Sequence, residues 1–245
     1  MIDTASKVEK ITTRLRSLIA ERQFSADKLP SEPELATQLN ASRATIRQAL
    51  ALLEMEGLLV RKQGTGTFIN RQILNIPNRL EEVWDFAEMI RLAGFAPDVR
   101  HVSLNLEPVS PEIGLKLALP PAAEVLSTVN IFLADDVPVI YCLDVIPANL
   151  VQQAYRDEEL HGPVYPFLEK RCGRHLDYNI AELLPAVADE RLSRLLECPP
   201  ASPLHYMKET GYDAAGSPVI YSEEYYRPKY FSFHVRRKMT TAYQK

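Results

Sequence analysis

Cysteine is scarce in this chain, and that scarcity narrows the possibilities. The 245 residues hold three, Cys142, Cys172 and Cys198. They are odd in number, widely spaced and form no metal-type pair, so buried free thiols in a reducing compartment are the expectation. Long apolar runs are missing as well, which argues against a helical membrane span. The opening stretch MIDTASKVEKITTRL lacks the apolar core of a secretory signal, so a cytoplasmic chain without a membrane partner is expected. The histidines, His101, His161, His175, His205 and His234, have no metal-ligand spacing, and none adjoins a nucleophile motif. No metal, cofactor or catalytic residue is therefore expected.

A strong basic excess is also absent, since the net charge is −4. The charge is unevenly spread, however. Residues 1–71 hold 11 Lys and Arg against 8 Asp and Glu, a net of +3; the remainder holds 17 against 24, a net of −7. A mildly basic module followed by an acidic domain fits this asymmetry. Hydrophobic content of 46% and charged content of 24% are those of a globular chain long enough for two domains.

What is present is concentrated between Leu29 and Ile69. A first amphipathic helix, Lys7 to Arg22, repeats Val8, Ile11, Leu15, Leu18 and Ile19 at helical spacing, with Thr4 or Ser6 as its cap. A second begins at Ser31, with Glu34 in capping-box position and Pro33 in the first turn, and ends at Asn40, which tolerates the left-handed conformation. Ser42 caps a third, whose buried stripe is Ile46, Ala49, Leu50 and Leu53. Arg43, Thr45, Arg47 and Gln48 project near its start and off that stripe. Arginines there suit insertion into a DNA major groove, where a guanidinium pairs bidentately with guanine. Gly57 ends the helix. The β-prone segments Leu58–Lys62 and Thr67–Ile69 then flank the turn Gln63-Gly64-Thr65-Gly66, a hairpin able to lie along phosphates or enter a minor groove. The same G-T-G is no nucleotide loop, because it lacks a third glycine and a following helix.

These phrases, LPSE-x-ELA, SR-x-T-I-R-x-AL, EGLLVR and G-x-GTF, resemble the winged helix-turn-helix of the GntR family of bacterial transcription regulators. The resemblance covers about the first 70 residues. It implies DNA contact through Ser31, Glu32, Ser42, Arg43, Thr45, Arg47, Arg61, Lys62, Gln63, Gly64, Thr65 and Gly66. One departure is Pro33, which stands where the family often has a polar, DNA-contacting residue. That contact is expected to be missing here.

Residues 71–79 read as a linker, and residues 80–240 as a second domain. A helix is expected over Leu80–Leu92, a strand over Val99–Pro108 and a short helix over Pro111–Leu119. A hairpin of Val125–Ala134 and Val137–Ile146 should turn at Asp135-Asp136. Helices follow at Leu150–Arg156 and Val164–Arg171, then a strand at Asp177–Leu184 and a helix at Asp189–Leu196. A final hairpin joins Leu204–Asp213 to Pro218–Arg227. Strands joined mainly by hairpins give an α+β class with an antiparallel sheet.

The hairpin VNIFLADDVPVIYCLDVIP and the segment HYMKETGYDAAGSPVIYSEEYYRPKYFSF resemble the UTRA effector-binding domain of the HutC subgroup of that family. The resemblance implies a chorismate-lyase-like fold, a ligand pocket between sheet and helices, and dimerisation through this domain. Relatives that bind phosphorylated sugars tend to carry arginines at positions aligned with Asn130 and Phe132, and glutamates at positions aligned with Cys142 and Ile220. All four charges are missing here, so bidentate capture of phosphate is unavailable. A weakly anionic or apolar effector is expected. Tyr141, Asp144, Tyr178, Tyr206, Ser222 and Tyr226 are the further candidate wall residues.

The resulting expectation is a homodimeric, ligand-responsive repressor of a pseudo-palindromic operator, with double-stranded DNA, a small effector and a second copy of itself as partners. The alternative is a DNA-tethered enzyme of chorismate-lyase-like fold acting on a small organic acid. Glu223 and Glu224 offer it no acid–base pair, because neighbours on a strand face opposite ways.

Overall fold

Two serines start the helices that matter most in the first part of the chain. The computed structural model describes residues 7–24, 27–74, 76 and 78–237. The expected caps Thr4 and Ser6 lie outside the described residues. Contacts divide the chain into two units, Met1–Pro77 and Asn78–Lys245. In the first, α1 (Lys7–Ala20), α2 (Glu32–Gln38) and α3 (Arg43–Met55) precede a hairpin of β1 (Leu59–Lys62) and β2 (Gly66–Ile69), and α4 (Arg71–Leu74) follows. Ser31 and Glu34 form the capping box in full, and Ser42 accepts the Thr45 amide at 3.1 Å. Each such cap stabilises its helix by about 1 kcal/mol. Asn40 turns between α2 and α3 at φ +47° and Gly57 ends α3 at φ +81°. Leu15, Leu35, Ile46, Leu50, Leu53 and Leu59 form one buried core.

Two features were not expected. Lys28 bridges to Phe68, with the Leu29 amide donating to the Thr67 carbonyl at 2.9 Å, so the hairpin has a third extended segment beside it. The stretch read as a linker contains the helical turn α4, whose Ile73 is buried in the first core, while Asn78 and Arg79 are buried in the second unit.

The second unit runs α5 (Phe86–Leu92), β3 (Pro97–Pro108), α6 (Pro111–Lys116), β4 (Glu124–Ala134), β5 (Val137–Pro147), α7 (Tyr165–Cys172), β6 (Tyr178–Val187), α8 (Glu190–Leu195), β7 (Pro203–Tyr212) and β8 (Pro218–Tyr226). The strands form one sheet in the order β3-β4-β5-β8-β7-β6, every neighbouring pair antiparallel. Asp135 and Asp136 make the β4–β5 turn, both with positive φ. Side chains alternate between two faces, and helices cover both. On one face, Phe132, Ile140, Cys142 and Tyr226 pack with Met89 and Ile90 of α5, while Leu126, Ile146 and Ile220 meet Phe167 and Leu168 of α7. On the other, Ile131 and Tyr141 meet Leu192 of α8, and Val125, Val145 and Tyr221 lie with Ile113 and Leu117 at α6. This is the α+β architecture expected.

Two expected helices need correction. Residues 80–84 are not helical. The Asp85 side chain caps α5 by accepting the Glu88 amide at 3.0 Å, and the Leu80 amide is taken by the His234 carbonyl at 2.8 Å. Residues 150–156 form no α-helix either. Short 3-10 turns stand at Ala148–Leu150 and Asp157–Leu160, and between them the Gln152 amide donates to the Arg171 carbonyl at the end of α7.

Candidate DNA-binding and effector sites

The first candidate site lies at the start of α3. Arg43, Arg47 and Gln48 are exposed there, off the stripe that buries Ile46, Ala49 and Leu50. Ser42 holds Thr45 through its hydroxyl at 2.8 Å as well as through the amide. Arg47 Nε lies 3.2 Å from Glu32 Oε2 on α2. Ser31 is occupied by its capping box, and the same contact lowers the Glu34 carboxyl below its usual range. Arg61 turns back toward α3, donating to the Arg47 carbonyl at 3.5 Å and pairing with Glu54 at 3.2 Å. It braces the hairpin against the helix. Lys62 sits 4.8 Å from the Phe68 ring centre, leaving its ammonium at the exposed hairpin end beside Gln63 and Thr65. Gly64 and Gly66 both have positive φ; a Cβ on Gly66 would meet Lys28 Cε at 2.8 Å. Lys28 is thus a basic neighbour of the turn that periodicity alone does not mark.

The second candidate site is a cleft inside the second unit, on the sheet face covered by α5 and α7. It comprises two adjoining hollows that share the aromatic walls Trp84, Phe86 and Tyr165 and the carboxyl of Glu224; Glu209 and Tyr226 line one, Asp144 and Phe132 the other, so that the three acids make its floor. Trp84 is fixed by donation from its indole N–H to the Arg79 carbonyl at 3.1 Å. Asp144 accepts from Ser222 at 2.6 Å and from the Cys142 thiol at 3.4 Å. Burial nonetheless pushes its carboxyl up to about 6, against those two hydrogen bonds. Burial, with the charge of Glu209 added, pushes Glu224 well above the usual carboxylate range, although Tyr226 donates to it. Glu209 is raised by burial and by Asp144, and accepts from Asn179 at 2.5 Å.

Of the ten wall residues expected from sequence, Phe132, Asp144 and Tyr226 line this cleft, and Cys142 and Ser222 stand directly behind Asp144. Asn130 points the same way but is engaged with His101 at 3.1 Å and the Leu160 carbonyl at 3.0 Å. Ile220 packs against α7. Three tyrosines must be reassigned by strand parity. Tyr141 and Tyr206 sit on the opposite face, Tyr141 receiving Arg191 at 2.8 Å and Tyr206 stacked on Tyr225 at 4.3 Å. Tyr178 lies on the edge strand β6, exposed and stacked on Tyr212 at 5.1 Å. Sequence reasoning missed Trp84, Tyr165, Glu209 and Glu224.

Comparison with known proteins matches both units. Residues 7–69 match the model of the gntR family of bacterial regulatory proteins, and residues 92–232, more than half of the chain, match the UTRA domain. The chain belongs to the UTRA-bearing branch of the GntR family. It is a DNA-binding transcription regulator, and its relatives carry the names of regulators rather than of enzymes. The transcriptional repressor NagR of Bacillus subtilis is 26% identical over 225 residues, covering 91% of both chains. A probable repressor of the fructoselysine utilization operon of Escherichia coli K12 is 26% identical over 235 residues, 93% of each. Among solved structures, the possible regulator YydK of Bacillus subtilis superposes with a TM-score of 0.76 at 20% identity, over 96% of this chain and 100% of that one, a likeness that speaks for the fold. Family members pair a helix-turn-helix with an effector domain, which is the division found here. Among the described residues no helix is long and apolar enough to cross a membrane.

Proposed function

We propose that the chain is a ligand-responsive repressor that binds a pseudo-palindromic operator as a homodimer and changes its DNA affinity when a small metabolite occupies the cleft of the second unit. The observation that carries this reading is the pair of exposed arginines, Arg43 and Arg47, with half-buried Thr45 between them on a capped helix. Each copy's α3 reads one half-site from the major groove, with Arg43 and Arg47 on base edges and Lys62, Gln63, Gly64, Thr65 and Gly66 on the backbone or minor groove. Ser31, Glu32, Ser42 and Arg61 hold these groups in place more than they touch bases. The effector, bound against Asp144, Phe132 and Tyr226, biases the dimer toward one DNA affinity; a coupling of about 1–3 kcal/mol changes binding several-fold to a hundredfold.

A second copy has a surface to use. The edge strand β6 exposes Tyr178, Ile180, Leu183 and Val187, an unpaired apolar edge of the kind that invites association. Selection of bound duplexes from a random pool, followed by affinity and mass measurements on the selected sequence, tests the reading. Enrichment of an inverted repeat bound by two chains supports it; enrichment of no sequence rejects it. A sensor also returns its ligand chemically unchanged, which separates it from an enzyme of the same fold.

A further inference from the structure

The acidic floor of the cleft is unusual for a domain expected to greet an anion or a neutral body. Asp144 on β5 and Glu209 on β7 both sit opposite Ser222 of β8, and Glu224 is two residues further along the same face. None of these three carboxylates takes part in an ion pair among the described residues. Glu224 is 5% exposed. One of its oxygens accepts the Tyr226 hydroxyl; the other has no hydrogen-bond partner among the described residues, and the side chain lines the cleft. A carboxyl with one oxygen hydrogen-bonded and the other turned to an opening presents a free acceptor, which a cation brought into the cleft would engage and hold in the ionised form. The arginine that borders the cleft is already matched: Arg79 lies 3.2 Å from Glu82 and 3.6 Å from Glu81.

The walls supply the second half of a recognition scheme. Trp84, Phe86, Tyr165 and Tyr226 border the same space, with Phe86 and Tyr226 ring centres 6.1 Å apart. Aromatic faces attract cations as well as flat apolar bodies. Among the described residues no group of His, Cys, Asp and Glu side chains is arranged to hold a metal ion, so the charge that fits is organic. From these observations we infer that the cleft takes an organic cation, an ammonium or guanidinium on a flat apolar body, with Glu224 as its principal counter-charge and Asp144 and Glu209 in support. The inference rests on reading this cleft as the effector site, and it replaces the expected weakly anionic or apolar effector with a positively charged one.

The chain carries its own reporter, because Trp84 is its only tryptophan and lies in the cleft wall. Phenethylamine, 2-phenylethanol and phenylacetate share one skeleton and differ in charge. Each is titrated into the full chain while Trp84 emission is followed. The expected result is saturable binding of the amine, at least tenfold tighter than the alcohol or the carboxylate, and loss of that preference in Glu224→Gln, which keeps the shape and the Tyr226 hydrogen bond. No saturable response to the amine, equal or tighter binding of phenylacetate, or an unchanged preference in a folded Glu224→Gln would each overturn it. The charge series on the unsubstituted chain stands alone if that variant does not fold. Operator affinity measured with each probe keeps the two readings apart. An amine that saturates Trp84 without altering operator binding removes the regulatory reading and leaves the charge preference intact. Phenylacetate that binds at least as tightly as the amine and alters operator binding supports regulation and overturns the cation.

Discussion

The guanidinium of Arg47 is steered by Glu32: Nε and Oε2 are 3.2 Å apart, joining the first turn of α2 to the exposed start of α3. An exposed ion pair of this kind contributes roughly 0–1 kcal/mol to stability, so its consequence is orientation. Glu32→Gln is expected to leave the melting temperature within a degree or two. It should raise affinity for random duplex, since a negative charge near phosphates is gone, and lower the ratio of operator to random binding several-fold. Anisotropy titrations on both duplexes check this; an unchanged ratio removes Glu32 from the recognition scheme.

Arg43 has no comparable tether in the described hydrogen bonds and projects from the helix start. Arg43→Ala is expected to cost about 1–3 kcal/mol of operator affinity and to relax base preference at one position of each half-site. Binding to a set of single-base operator variants distinguishes this from a phosphate contact, which would weaken all sequences alike.

The hairpin tip gives a paired prediction. Gly66 has φ +121° and its added Cβ would strike Lys28 Cε at 2.8 Å, whereas Gly64, at φ +71°, faces open space. Gly66→Ala therefore combines backbone strain with a displaced lysine, at about 1–3 kcal/mol. Gly64→Ala should cost less, about 1 kcal/mol. Thermal unfolding ranks the two; equal losses would mean that Lys28 yields freely. Lys62→Ala, at the same tip, should lower the salt dependence of DNA binding by about one phosphate contact.

Asp144 sets a pH dependence in the ligand-free chain. Its carboxyl is raised by burial from 3.8 to about 6, with Cys142, Tyr165, Glu209 and Glu224 as the titratable groups around it. A raised folded-state value favours the protonated form. That contribution is fully present below about pH 4 and is lost as pH rises through 6, about 3 kcal/mol in all. Urea unfolding between pH 4 and 7 should show stability falling with pH up to about 6 and levelling above it, and Asp144→Asn should flatten the fall. A variant with the parental slope would assign the effect to other groups.

Much of this molecule is readable before folding. Ser31, Glu34, Asn40, Ser42 and Gly57 announce helix boundaries by local chemistry, and Asp135-Asp136 announces a turn. These signals act within a few residues, so they survive the absence of tertiary information. The cleft was harder. Tyr141 and Cys142 cannot share one wall of a straight strand, and parity alone would have separated Tyr141 from Cys142 and Asp144. Relating β5 to β7 requires knowing that β8 lies between them, a pairing that brings Asp144 and Glu209 to the same Ser222 across some 65 residues of sequence. The acidic floor is therefore a product of strand order. Trp84 falls within a predicted helix because Leu80–Leu92 has helical spacing; with Asp85 as its cap, that helix starts only at Phe86 and leaves the indole for the cleft.

The second unit opens and closes at one place. The His234 amide donates to the Asn78 carbonyl at 3.1 Å, the Leu80 amide returns to the His234 carbonyl at 2.8 Å, and the Arg236 amide reaches Glu81 at 2.8 Å. A domain whose first and last described segments are stitched side by side behaves as a detachable cassette. It can be spliced behind a different DNA reader, or cut at the exposed Ala214–Ser217 tip and rejoined through its old termini, without disturbing a strand of the sheet. Because Arg79, Leu80 and Phe233 of that seam also border the proposed effector cleft, grafts made there are expected to carry the chemical sense along with the scaffold.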